Sequence, residues 1–227
     1  MAKTVLITGA AGGLGIHVTQ TFAEHQWHII ATVLNNKERE HLTDIARCTV
    51  VECDVTTPES VESLQPQLPN SLDAVVHLVG GIAAVRDIEE TTHDDFYRLW
   101  KLNTLSTYLL LRATVPLLKQ SAGAFIAIGA RAVAHPEPQK ALYAATKAAL
   151  VQLVLTVAEE GRPFGMRANV ILPSIIRTPA NLQWAPEGEE QRWVPPDDIA
   201  QCIYALCSDS GRGVTGCIIP MYGKIPA

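Results

Sequence analysis

The chain has no surplus of basic residues: 18 Lys and Arg stand against 23 Asp and Glu over 227 residues, a formal net charge of -5 with a sequence pI near 5.8. A surface without cationic excess gains little from releasing counterions on a phosphate backbone, so nucleic acid is not expected as a partner. Long apolar runs are missing as well. No stretch reaches the roughly 18–20 apolar residues that cross a bilayer, so no membrane partner is expected. The opening MAKTVLITGAAGG reads at once as a strand and a turn, with no signal peptide, and a cytoplasmic protein is expected. Cysteine is sparse and odd in number. Cys48, Cys53, Cys202, Cys207 and Cys217 are scattered without a C-x-x-C pair, which argues for buried free thiols over disulfides or a metal site. Repeats, low-complexity tracts and linkers are absent too. A chain that is 48% hydrophobic and 18% charged can then form one domain, 1–227, with a full core.

What is present alternates. A buried strand, Thr4 to Thr8, runs into TGAAGGLG and then a helical pattern from Ile16 to His25. Glycines at 9, 13 and 15 permit a tight turn and let a diphosphate approach the amides of a helix N-terminus. Further strands are expected at Trp27 to Leu34, Thr49 to Val55, Leu72 to Gly80, Phe125 to Ile128, Met166 to Pro173 and Gly216 to Met221. Helices are expected at Glu59 to Leu68, Asp94 to Gln120, around Tyr143, and at Asp197 to Cys207. Seven strands alternating with helices predict a doubly wound parallel sheet, with helices on both faces and a ligand at the strands' carboxyl ends.

Several polar residues stand at those ends. No acid closes the second strand: Val33 and Leu34 hold the place where a carboxylate would grip an adenosine ribose. Asn35, Asn36, Lys37 and Arg39 follow, either as a solvated helix start or as a phosphate site. Asp54 either caps the next helix or accepts from an adenine amino group, and the Gly80-Gly81 pair allows close approach of a flat ligand. Asn103, in the middle of an apolar helix, needs a polar partner. Tyr143 and Lys147 lie one helical turn apart, about 5–6 Å at Cβ. That is close enough for the ammonium to favour ionisation of the phenol, making it a proton donor near neutral pH. Residues 178–196 form a long loop with Trp184 and Trp193, read as a lid whose rings shield a planar substrate.

TGAAGGLG at Thr8 to Gly15, Asp54, Gly80, Asn103, Tyr143-x-x-x-Lys147 and Pro173…Thr178-Pro179 come in the order and spacing of the short-chain dehydrogenase/reductase family, which the chain resembles over almost its whole length. The resemblance implies a Rossmann-type fold and hydride transfer between a nicotinamide and a carbonyl or imine carbon. Tyr143 would be the general acid, Lys147 would hold the nicotinamide ribose and lower the phenol pKa, and Asn103 would hold a proton-relaying water. The cofactor-binding set is then Gly9, Gly13, Leu14, Gly15, Asn35, Lys37, Asp54, Val55, Gly80, Tyr143, Lys147, Pro173, Ile176 and Thr178. NADPH is expected, with NADH as the alternative. The family's paired long helices imply a homodimer or homotetramer. Leu105, Leu109, Leu110, Leu111, Leu150, Leu153, Val154 and Val157 supply apolar surface for the pairing.

The departures matter as much. The family's N-N-A-G is HLVG here, His77 to Gly80, and its catalytic serine is Ala130. Loss of such a donor costs about 2.7–4 kcal/mol where it is essential, so Arg131 and His135 are expected as substitute donors near a small-molecule substrate. The quinonoid dihydropteridine reductase branch resembles this chain at Gly129 to Ala132, at Gln20 to Trp27 and in LPSIIRTPAN. Three functions follow: reduction of a conjugated imine or carbonyl, reduction of a ketone or 3-oxoacyl group with a substitute donor, and a cofactor-binding regulator with little catalysis.

Overall fold

The computed structural model describes residues 2–226. Seven parallel strands form one sheet: β1 Thr4–Thr8, β2 His28–Val33, β3 Cys48–Glu52, β4 Ala74–His77, β5 Ala124–Ile128, β6 Arg167–Pro173 and β7 Ile218–Met221, in the order β3-β2-β1-β4-β5-β6-β7. Strand side chains alternate between two buried layers. Val5 and Ile7 face the layer of α1 (Gly15–Glu24) and α8 (Pro196–Cys207), while Leu6 faces the other. That second layer is built from α3 (Pro58–Leu64), α5 (Ser106–Ser121) and α6 (Ala141–Gly161), through Val61, Leu110, Leu118, Leu150 and Val154. A sheet covered on both faces reads as continuous apolar runs, which is why the central strands β1, β4, β5 and β6 stood out in the sequence, whereas the edge strands β3 and β7 are partly exposed.

The strand order reverses between β1 and β4, opening a cleft at their carboxyl ends. The short helices α2 (Asn36–Glu40) and α7 (Pro179–Leu182) lie on its rim, after β2 and β6. The expected helix from Asp94 to Gln120 is corrected: it is α4 (His93–Leu99), one π-helical turn over Trp100–Leu105, then α5. A π turn widens the backbone by one residue, and such turns concentrate at functional sites. This one carries Asn103.

Two expectations about apolar surface need correction. The 24-residue segment Ala141–Phe164 contains an 18-residue window with mean hydropathy 1.6, long and apolar enough to cross a membrane by composition alone. In the fold it packs on the sheet through Leu150, Val151, Val154 and Ala158 and carries the buried Lys147. Of the eight aliphatic residues expected to face a second subunit, Leu109, Leu110, Leu111, Leu150 and Val154 are buried within the chain. The exposed apolar surface there is aromatic instead: Phe96, Tyr97, Trp100 and Tyr108. All five cysteines are free, but only Cys53 and Cys207 are buried, while Cys48, Cys202 and Cys217 are half-buried, against the expectation of buried thiols; the described residues contain no group of His, Cys, Asp or Glu that could hold a metal.

Candidate functional site

The turn after β1 brings Gly9, with φ 71°, against Val79 and sends the chain into α1. A Cβ on Gly15 would lie 2.1 Å from the Gly9 carbonyl oxygen, so only glycine permits this return. No side chain caps α1, and its first turn holds no acid. No side chain therefore competes for its backbone donors; Ile16 N–H is given to the Gly12 carbonyl at 3.0 Å, and other amides of the turn fit the diphosphate of a dinucleotide. Leu14 is the N-cap residue. Thr178 lies over this loop, since a Cβ on Gly13 would come within 2.8 Å of the Thr178 Cβ. The chain after β6 thus roofs the glycine turn. Thr178 Oγ1 accepts from Asn181 N–H, and the Ile176 carbonyl accepts from Thr178 N–H at 2.8 Å, so Pro173, Ile176 and Thr178 form a fixed ledge.

Around β4 three residues converge. Asn103 Oδ1 accepts from Gly81 N–H at 2.9 Å, and its Nδ2 donates to the Gly81 carbonyl at 3.0 Å and to Thr146 Oγ1 at 3.1 Å. The partner predicted for Asn103 is thus the backbone of the glycine pair. Lys147 Nζ, buried, donates to the Ile128 carbonyl at 2.8 Å. A Cβ on Gly80 would meet Lys147 Nζ at 2.6 Å and Asn103 Oδ1 at 2.9 Å. Gly80, Asn103 and Lys147 therefore form one contiguous floor. Burial pulls the Lys147 ammonium down to about 8.

The expected lowering of the Tyr143 pKa is contradicted. Burial, and then the Glu137 carboxylate, push the phenol up to about 12. Helical spacing put an ammonium near the phenol, but that ammonium is turned to the Ile128 carbonyl while an unforeseen acid lies closer in effect. Tyr143 is half-buried and Ala130 is buried at the end of β5. The substitute donors are otherwise engaged. Arg131 binds Glu137 and the Pro226 carbonyl, and His135 stands edge-on to Tyr222 with ring centroids 5.4 Å apart. The lid reading also changes. Trp193 is 4% exposed and serves as an anchor, with Val194 bridged to Ile176, whereas Trp184 is 57% exposed and leans on Trp193 at 5.1 Å.

At the adenosine end, Asn35 caps α2 by accepting from Glu38 N–H, Lys37 is exposed, and Arg39 is committed to the Val50 carbonyl at 2.9 Å, away from the phosphate role considered for it. Glu38, unremarked in the sequence, accepts from Leu34 N–H at 2.8 Å. Asp54 closes its own turn by accepting from Thr56 N–H and Oγ1, next to the buried Val55.

His77 was noted in the sequence only as a departure from N-N-A-G and given no role, although a histidine in the apolar run AVVHLV was the available signal. Ser106 Oγ donates to the Leu102 carbonyl at 2.6 Å, so it accepts from His77 Nε2–H at 3.3 Å, and His77 Nδ1 accepts from Thr8 Oγ1–H at 2.7 Å. The imidazole joins the strand before the glycine turn to the π turn of Asn103. Burial, aided by the Lys147 charge, holds it down to about 3, whereas the unfolded chain titrates near 6.5. Below pH 6.5 the unfolded state takes up a proton that the native state refuses. Stability is therefore fully present above about 6.5 and is lost as pH falls toward 3, by about 1.4 kcal/mol per unit. Melting temperatures from pH 7 to 4 should fall less steeply in His77→Asn, whose amide bonds without titrating. Parallel curves would refute this.

Comparison with known proteins agrees with this geometry. Residues 9–223 match the family model described as Enoyl-(Acyl carrier protein) reductase. The chain is 33% identical over 202 residues to L-fucose dehydrogenase of Oryctolagus cuniculus, covering 87% of this chain and 69% of that one. It is 25% identical over 239 residues to the 3-oxoacyl-[acyl-carrier-protein] reductase FabG of Thermotoga maritima, covering 98% and 97%. Among solved structures, an oxidoreductase of the short-chain dehydrogenase/reductase family from Burkholderia thailandensis matches at 25% identity with a TM-score of 0.88 over 98% of this chain and 92% of that one. ElxO with NADP bound matches with a TM-score of 0.91 at 24% identity, covering 98% of each chain. With the family model spanning nearly the whole chain and the fold superposing on a family member from Burkholderia thailandensis at a TM-score of 0.88, this protein is an oxidoreductase of the short-chain dehydrogenase/reductase family.

Proposed function

We propose that the protein is an NADPH-dependent reductase of a conjugated, electron-poor imine or carbonyl group. The observation that carries this reading is the buried methyl group of Ala130, just after β5, where the family's hydroxyl would stand. Burial and then the Glu137 carboxylate hold the Tyr143 phenol up to about 12, so its proton is in place at neutral pH for reduction. Ala130 offers no hydroxyl to developing negative charge, so the acceptor must need little such help. When bound, the reduced nicotinamide supplies the hydride. The chain's own part is to hold the dinucleotide on the uncapped α1 and under Thr178, to set Lys147 and Asn103 behind Gly80, and to deliver the Tyr143 proton. A quinonoid dihydropterin is one acceptor of this kind. Reduction of 3-oxoacyl groups is the second reading, favoured by the similarity to the Thermotoga maritima reductase. Oxidation of NADPH measured against quinonoid pterins, diketones and acyl thioesters separates them. Preference for the thioesters would overturn the first reading.

The cofactor preference rests on the missing acid. Val33 is buried, Leu34 ends the strand, and Lys37 is exposed beside them. ElxO carries NADP, and a 3-ketoacyl reductase of Brucella melitensis carries NADH. In this chain a 2′-phosphate would have to displace the Glu38 carboxylate from Leu34 N–H, so the preference for NADPH is moderate and should increase in Glu38→Gln. Dissociation constants for both nucleotides test this; tenfold tighter NADH binding, about 1.4 kcal/mol, would reverse it.

A second copy of the chain is the proposed partner of the helical face. An apolar groove of about 490 Å³ runs between α5 and α6, lined by Trp100, Leu105, Tyr108 and Leu153, with Trp100 41% and Tyr108 46% exposed. Contiguous aromatic surface of this kind is characteristic of interfaces. Light scattering at micromolar concentration should give a dimer or tetramer, and Tyr108→Glu should dissociate it. A 24.6 kDa particle for the native chain would contradict the proposal.

A further inference from the structure

Arg131 follows Ala130 directly, and its guanidinium is held on three sides. Nε and Nη2 both donate to the Pro226 carbonyl oxygen, at 3.2 and 2.9 Å. Nη1 lies 3.3 Å from Glu137 Oε1, and the group sits 5.7 Å over the Tyr222 ring. The tail that brings Pro226 here is fastened at its root, because Ser174 Oγ donates to the Tyr222 carbonyl at 2.9 Å. Two parallel N–H donors converging on one peptide oxygen leave the fork underused, since its shape and charge suit the two oxygens of a carboxylate. The local charge points the same way. Arg131 and Lys140 share the single acid Glu137, so two cations face one anion among the described residues, beside the phenol of Tyr143.

We infer that Arg131 is the recognition point for a substrate carboxylate, and that the Pro226 carbonyl holds its place as an internal stand-in. Among the electron-poor acceptors proposed above, oxo and imino acids are then preferred over neutral compounds. This rests on the reading of the cleft as a reductase site and adds the class of molecule it takes. The carboxylate end seats on Arg131 after displacing the tail, and the reducible carbon lies toward Tyr143. Glu137 sets the strength of this seat, because it draws on the same guanidinium.

The test is calorimetric titration of the NADPH-loaded full chain with 3-acetylbenzoate and 4-acetylbenzoate, each against its methyl ester. The native protein should bind at least one acid tenfold or more tightly than its ester. Arg131→Met should abolish that difference without changing NADPH affinity, and Arg131→Lys, which keeps the charge but loses the fork, should retain only part of it. Glu137→Gln and a chain ending at Lys224 should both bind the acid more tightly, one by releasing the guanidinium and the other by removing its stand-in. Equal binding of acid and ester, no measurable binding of either, or an acid preference that survives Arg131→Met would overturn the assignment. A protein that seats the acid through Arg131 yet oxidises no NADPH with any carbonyl compound would fault the reductase reading alone.

Discussion

Tyr143→Phe is expected to lower kcat by about 10²–10⁴, the usual loss when a positioned proton donor is removed, with nucleotide affinity essentially unchanged. The substitution deletes one oxygen from a half-buried ring and leaves its packing intact, so the effect falls on the chemical step. The phenol's environment sharpens the expectation. Burial and the Glu137 carboxylate hold it up to about 12, which secures the proton before reaction but makes its release harder. Glu137→Gln should therefore change the rate of an activated acceptor in the opposite direction to Tyr143→Phe, by removing a negative charge that opposes phenolate formation. Single-turnover oxidation of NADPH with a quinonoid or diketone acceptor measures both. Turnover undiminished in Tyr143→Phe would remove this residue from the mechanism.

That expectation uses features the sequence displayed and features it concealed. The central strands were legible because a sheet buried on both faces forces unbroken apolar runs, and the glycine turn because Gly15 has no room for a Cβ beside the Gly9 carbonyl. Asn103 was legible as a polar residue needing a partner, and the Gly80-Gly81 pair as a point of close approach; that each answers the other is a tertiary fact. The π turn was hidden because an extra residue in a helical turn leaves no periodic signature over six residues. Tyr143 and Lys147 were found by spacing, yet the sign of the phenol's shift was not. It depends first on burial, then on Glu137, six residues away across a loop broken by Pro138, while Lys147 turns to Ile128. Likewise Arg131 and Trp193 were marked as site residues by position. Only the packing of the tail and of the Ile176–Val194 bridge tells that one grips a carbonyl and the other is an anchor.

Gly80→Ala should lower kcat by about 10²-fold while leaving the protein folded. Gly80 is not among the residues with positive φ, so an alanine meets no backbone strain of its own there. What it meets is the site. Its methyl would press on Lys147 Nζ at 2.6 Å and Asn103 Oδ1 at 2.9 Å, both far closer than real contacts allow. The asparagine is clamped by three hydrogen bonds, so the lysine, at the end of a flexible chain, yields first. Displacing Nζ costs one hydrogen bond from a charged donor to the Ile128 carbonyl, a net of about 1.5–3 kcal/mol, which leaves the fold intact. Catalysis is less forgiving, because a misplacement of about 1 Å in a positioned group can cost 10²-fold. The contrast between a retained fold and a lost rate is the test. Calorimetric melting and kcat should be measured on the same preparation, together with Gly81→Ala, whose added methyl would meet only Leu102 Cδ2 at 3.1 Å and should spare the rate. If Gly80→Ala is unfolded in proportion to its lost activity, or if Gly81→Ala is equally slow, the floor formed by Gly80, Asn103 and Lys147 is not the element that positions the chemistry.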